Sequence, residues 1–246
     1  MSLFSIFKKK PTAPLSVSPL QVDIHSHLVP AIDDGIQSIE EGLEILREME
    51  ALGYKKVITT PHTMQGSYDN TPEIIYSGME KMQAAARKAG IGITMEAATE
   101  YYLDETFMAR LENEEPIMTF GSNYVLMETG FINEPPMLKE ATFLLSIKGY
   151  KPVYAHPERY TYLAQNKALL EEMIDRDVVF QINLVSLAGA YGKPVQKFAE
   201  RLVDMGVVKM VGTDCHNMGH IDFVKKAVST KYYEKLMRTE LLNNTL

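Results

Sequence analysis

About seven times along this 246-residue chain an apolar run of strand length gives way to a helical pattern. Imidazoles or carboxylates follow most of those runs. The runs read as strands are Leu20–His25, Lys56–Thr59, Ile91–Thr99, Tyr124–Met127, Lys151–Ala155, Val178–Ile182 and Val207–Gly212. Between them, Ser38 with Glu41 three residues on forms a capping box that opens a helix stopped at Gly53. Thr71-Pro72 opens a second helix that runs to Gly90. Further helices are expected over Asp104–Leu111, Pro136–Lys148, Lys167–Arg176 and Pro194–Met205, with a helical tail from Phe223 to Leu242. Uninterrupted alternation of this kind predicts an α/β fold with a parallel sheet, and closing the sheet into a barrel is the natural solution. No linker or internal repeat divides it, so residues 20–246 read as a single domain behind a leader of residues 1–19.

In such barrels the functional residues stand at the C-terminal ends of the strands. Val22-Asp23-Ile24-His25-Ser26-His27 delivers two imidazoles to one side of an extended segment. Thr60-Pro61-His62, Met127-Glu128, Ala155-His156-Pro157-Glu158-Arg159 and Thr213-Asp214-Cys215-His216 follow, so five of the six histidines sit in these clusters. A lone histidine is more often a core or solvated residue. Five arriving with carboxylates at strand ends describe a metal site. His25, His27, Asp34, His62, Glu100, Glu128, His156, Asp214 and His216 make nine candidate ligands, enough for two to three divalent ions with open positions. The donor mix suits zinc, manganese or iron and does not choose among them. Clustered divalent ions activate water and neutralise phosphoryl charge, which points to phosphate ester hydrolysis.

Arg159, three residues after His156, could clamp phosphate or could pair with Glu158 at the surface. Cys215 has Ile221 as its sixth following residue, so the Cys-x5-Arg loop of cysteine-dependent phosphatases is absent, and a buried inert thiol is expected. The formal charge of −7 argues against nucleic acid as a partner. One cysteine excludes an internal disulfide framework and fits a reducing, cytoplasmic setting. The leader, Met1 to Phe7 followed by Lys8-Lys9-Lys10, is read as flexible, with weak membrane contact as the other reading.

The segments Asp23 to Gly35, Thr59-Thr-Pro-His62, Ala98-Thr-Glu100, Leu126-Met-Glu128, Ala155-His-Pro-Glu-Arg-Tyr160 and Gly212-Thr-Asp-Cys-His-Asn217 together resemble the PHP (polymerase and histidinol phosphatase) superfamily. Within it they resemble the CpsB/CapC-type bacterial protein-tyrosine phosphatases. The resemblance implies a distorted (β/α)7 barrel holding three metals, manganese above iron or zinc. His25, His27, Glu100 and Asp214 would hold the first, Glu100 with Glu128 and His156 the second, and Asp34, His62 and His216 the third. It gives Arg159 a catalytic, phosphate-binding role. Where the family carries a second arginine this chain reads Met218-Gly219-His220-Ile221, and His220 is the residue able to stand in as a substrate-binding group. The implied substrate is a tyrosine-phosphorylated protein, a membrane-associated bacterial kinase that controls capsular or extracellular polysaccharide export, met in the cytoplasm at the inner membrane face. The rival readings are a phosphoesterase acting on a small phosphate such as histidinol phosphate, an amidohydrolase, and a catalytically silent metal-binding adaptor.

Overall fold

The structure, a computed structural model, describes residues 19–246. The reading of a leader and its membrane contact therefore lies outside the described residues, apart from residue 19. Among the described residues nine short strands form two parallel sheets. One is ordered β1 (Val22–Asp23), β2 (Lys56–Thr59) and β4 (Thr94–Ala97). The other runs β3 (His62–Thr63), β5 (Glu100–Tyr102), β6 (Tyr124–Glu128), β7 (Lys151–Ala155), β8 (Val179–Asn183) and β9 (Val208–Gly212). β2 leads directly into β3 and β4 into β5. Hydrogen bonds from Ala98 N to Thr59 O (2.9 Å) and from Glu100 N to Pro61 O (3.1 Å) carry the pairing across both breaks. The two sheets are thus one series of seven staves, each interrupted or regular, with helices between them.

The first and last staves meet without a ladder. A parallel bridge joins Ser26 to Cys215, with Asp214 N donating to His25 O (2.8 Å) and His27 N to Cys215 O (2.9 Å). Below that level a side chain does the joining: Asn243 donates to Val22 O (3.0 Å) and Val211 O (2.7 Å) and accepts from Val211 N (3.0 Å). β1 is far shorter than the predicted Leu20–His25. Of the expected third strand, Ile91–Thr99, only Thr94–Ala97 is regular, and β5 starts beyond it at Glu100. The predicted tail helix breaks into Met218–Ala227, Lys231–Leu236 and a terminal turn at Leu242–Thr245, because Thr230 caps a new helix by accepting from Tyr233 N.

Alternation along the strands separates two apolar layers. Val125, Met127 and Tyr154 belong to the large layer between strands and helices. Tyr124, Leu126, Val153 and Ala155, with Val22, Ile24, Ile58, Ala98 and Met210, fill the small inner one. The inner rows Ala98 to Glu100 and Leu126 to Glu128 rise two residues at a time, so the same period that fills the core with apolar groups ends each row on a carboxylate. Ser38 caps the helix Ile39–Ala51 as read, accepting from Glu41 N, while Glu41 turns back to Gln37 N and not to Ser38. No helix among the described residues is long and apolar enough to cross a membrane.

Candidate metal centre

His156 follows the inward-facing Ala155, so regular alternation would send it outward beside Tyr154. It instead adopts left-handed backbone angles (φ 35°, ψ 53°), and its Nε2 lies 2.9 Å from Glu100 Oε1 and 3.8 Å from Glu128 Oε2. Asp214 is also left-handed (φ 50°). Such angles are unfavourable for residues with a Cβ, and here two of them stand at predicted ligands.

Around Glu100 Oε2 stand His25 Nε2 (3.2 Å), His62 Nδ1 (3.2 Å) and His27 Nε2 (3.5 Å). That carboxylate oxygen and His62 Nδ1 are buried, and neither makes a hydrogen bond. Asp214 Oδ1 sits 3.4 Å from both His25 Nε2 and His27 Nε2. His62 turns its other nitrogen, Nε2, to Asp34 Oδ1 (3.4 Å), which is also 3.5 Å from His216 Nε2. The structure therefore brings all nine predicted side chains together. His62 belongs to two groups of ligands, since its Nε2 faces Asp34 while its Nδ1 is also 2.9 Å from Glu128 Oε1.

The protons on the imidazoles can be assigned from a chain of donors. Asp214 Oδ2 can only accept, so Asn183 presents its Nδ2 there (2.5 Å) and its Oδ1 to Gln181 Nε2 (2.9 Å). Gln181 Oε1 is then left to accept from His25 Nδ1 (2.8 Å). Asp33 Oδ2 accepts likewise from His27 Nδ1 (2.8 Å). With both protons held at Nδ1, the two Nε2 lone pairs face one another at 3.3 Å among carboxylate oxygens. A cation between them satisfies that arrangement, and the donor set fits divalent metal ions. Without one, protons supply the charge. Burial alone would push the His25 imidazole down, but Glu100 and Asp214 raise it to about 10. His62 rises to about 12 against the same burial cost, through Glu100, Asp34 and Glu128. Burial works against the carboxylates too, yet His25 and its neighbours hold Glu100 and Asp214 well below the usual range.

Glycine admits the close approaches that this crowding needs. A Cβ on Gly35 would lie 2.3 Å from His27 O, and one on Gly212 would lie 2.5 Å from His25 Cβ.

Arg159 does not pair with Glu158. The Glu158 carboxylate is buried, accepting from Asn183 N (2.8 Å) and Ser186 Oγ (2.7 Å). Arg159 Nη1 reaches Asp214 Oδ2 at 3.4 Å, and its guanidinium lies 4.3 Å from the Phe131 ring centroid and 4.4 Å from that of Tyr191. Tyr191 Oη donates to the same Asp214 oxygen (3.2 Å). These groups open onto a pocket of about 560 Å³, which His220 also lines. The His220 Nδ1 proton is given to Asp214 O (2.7 Å), and burial pushes this imidazole down, so it lacks the fixed charge of an arginine. Cys215 is fully buried with its Sγ on Asn217 O (3.5 Å), and burial pushes the thiol well above its ordinary value. Asp33, Gln181, Asn183, Tyr191 and Phe131 were not found by sequence reasoning. Only Asp33 left a signal, as the first carboxylate of Asp33-Asp34-Gly35.

The tyrosine-protein phosphatase YwqE of Bacillus subtilis is 30% identical to this chain over 197 residues, covering 80% of this chain and 78% of YwqE. A solved structure from work on YwqE and on CpsB of Streptococcus pneumoniae, described as metal-dependent tyrosine phosphatases, superposes with a TM-score of 0.79. It shares 27% identity over 91% of this chain and 94% of that one. Histidinol phosphate phosphatase of Lactococcus lactis, solved with zinc, histidinol and phosphate, shares the fold (TM-score 0.51, 15% identity, 86% and 94% covered). With residues 21–245 matching the family described as capsular polysaccharide synthesis, CpsB/CapC, the chain belongs to the CpsB/CapC family.

Proposed function

We propose that this chain is a metal-dependent phosphoric monoester hydrolase acting on phosphotyrosine in proteins. The observation that carries the reading is Arg159: a guanidinium held between two aromatic faces, beside the ligand cluster and in the wall of an open pocket. Family membership and the tyrosine-phosphatase relatives support the same chemistry. His25, His27, Glu100 and Asp214 would hold one ion, Glu100, Glu128 and His156 a second, and Asp34, His62 and His216 a third. Manganese is the proposed metal. When bound, the ions supply Lewis acidity and an activated water.

The chain's own residues then do the rest. Asp214 commits Oδ2 to Asn183, Tyr191 and Arg159, which leaves Oδ1 for the centre. Arg159 stays charged, since Asp214 offsets its burial, and N–H groups beyond the one on Asp214 remain to bind phosphoryl oxygens. His220 lines the site as a neutral group, so Arg159 carries the side-chain charge on the phosphate. A tyrosine phenolate, whose parent acid has a pKa of about 10, leaves without strong general-acid help. We further propose that the substrate is a membrane-associated tyrosine kinase of the polysaccharide export machinery, met at the cytoplasmic face of the membrane, and that residues 20–246 act as one domain.

The test is kinetic. A phosphotyrosine peptide should exceed histidinol phosphate in kcat/KM by orders of magnitude. The reverse ranking would make the chain a small-phosphate phosphoesterase.

A further inference from the structure

Phe131 lies in the loop after β6, and its placement is not that of a floppy surface residue. Its carbonyl oxygen accepts from both Thr161 N (2.8 Å) and Thr161 Oγ1 (3.0 Å), which ties the loop to the segment that carries Arg159. Its ring packs 6.0 Å from Tyr160, near parallel, and lies 4.3 Å from the Arg159 guanidinium carbon. Phe131 nevertheless remains 40% exposed and Ile132 75% exposed. An anchored loop that keeps the pocket-lining Phe131 and its neighbour Ile132 in water is a surface that awaits an apolar partner. The rest of the wall agrees: Tyr68, Tyr102 and Tyr191 line the same pocket, so aromatic rings stand in it beside the charged groups.

We propose that Phe131 is the specificity-determining residue of the site, receiving the aromatic ring of an aryl phosphate on its open surface while Arg159 holds the phosphoryl group. The inference rests on the phosphotyrosine reading and deepens it. Geometry sets the order of contacts, because the guanidinium and the Phe131 ring are neighbours, as are the phosphate and ring of phosphotyrosine. Ring-to-ring contact of this kind is favourable beyond the area it buries. An alkyl phosphate would leave the open part of Phe131 in water and gain nothing from it.

The experiment compares wild type, Phe131→Ala and Phe131→Tyr, each loaded with metal, measuring kcat and KM for phenyl phosphate and for a phosphotyrosine peptide. The inhibition constant of inorganic phosphate, which has no ring, is measured alongside. Phe131→Ala should raise KM for both substrates roughly tenfold, the scale of a lost aromatic contact, and raise the phosphate inhibition constant far less, by no more than the few-fold that losing the Phe131 contact with Arg159 allows. Phe131→Tyr, which keeps a ring, should restore KM. An unchanged KM in Phe131→Ala would overturn the proposal. So would a phosphate inhibition constant that rises in step with KM, because Phe131 would then act only by supporting Arg159. Wild-type enzyme that hydrolyses neither aryl substrate would refute the functional reading itself, a result distinct from either of these.

Discussion

Replacing Asp33 by Asn changes one atom in a residue that does not line the Arg159 pocket, and it should nonetheless weaken the metal centre. Asp33 Oδ2 accepts from His27 Nδ1 (2.8 Å) and His62 N (3.1 Å), while Oδ1 accepts from Gly35 N (2.9 Å). Burial disfavours this carboxylate, but the His27 hydrogen bond and its other partners hold it below its ordinary range. An amide has one accepting oxygen. If that oxygen takes the Oδ2 position, the NH2 group opposes Gly35 N–H, and a buried donor is left unpaired at about 1–3 kcal/mol. If the amide flips, the NH2 group faces His27 Nδ1, whose proton must move to Nε2, where the centre needs a lone pair. Either outcome loosens a proposed ligand through its outer partner, a change worth about 10–100-fold in metal affinity, or about 1.4–2.8 kcal/mol. Competition between the protein and a chromogenic chelator measures that affinity directly. Activity should recover largely at saturating metal. An Asp33→Asn protein that binds metal within twofold of wild type would refute both the tautomer assignment and the ligand role of His27.

Two further outcomes follow from the same geometry. Arg159→Ala should lower kcat on the order of 10²-fold, by analogy with losing one oxyanion donor, with metal content unchanged and only partial rescue by Arg159→Lys; steady-state kinetics with metal analysis checks it, and a wild-type kcat and KM would remove Arg159 from the mechanism. Cys215, buried and with its thiol held neutral far above pH 7, should resist iodoacetamide at pH 8 in the folded protein, and Cys215→Ser should keep most activity; mass spectrometry and the same kinetics would expose a reactive thiolate.

The strands from β6 to β9 were legible because their runs are apolar on both faces and are bounded by glycine or turn residues, so their limits moved by a residue or less. β1 was not, because its closure depends on Asn243, more than two hundred residues away, and no local pattern records that. The nine candidate ligands were legible as residue types that have no place in a buried strand end unless they bind something. Their orientation was hidden. Alternation alone would have turned His156 outward, and only its left-handed backbone brings it to Glu100. The relay from Asp214 through Asn183 and Gln181 to His25 was equally hidden, since polar amides in a strand carry no distinguishing sequence signal. Arg159 was visible with two readings open, phosphate or Glu158, and only the structure shows that Glu158 turns into the interior toward Ser186.

On the proposed function, facing imidazole lone pairs and carboxylates at the strand ends hold divalent ions that drive phosphotyrosine hydrolysis. Phosphate release from a phosphotyrosine peptide tests it most directly, using enzyme stripped by chelation until elemental analysis finds no metal, with each divalent ion then added back singly. The stripped enzyme should be inactive and regain turnover with at least one ion, manganese foremost. Full activity in protein confirmed free of metal would contradict the account.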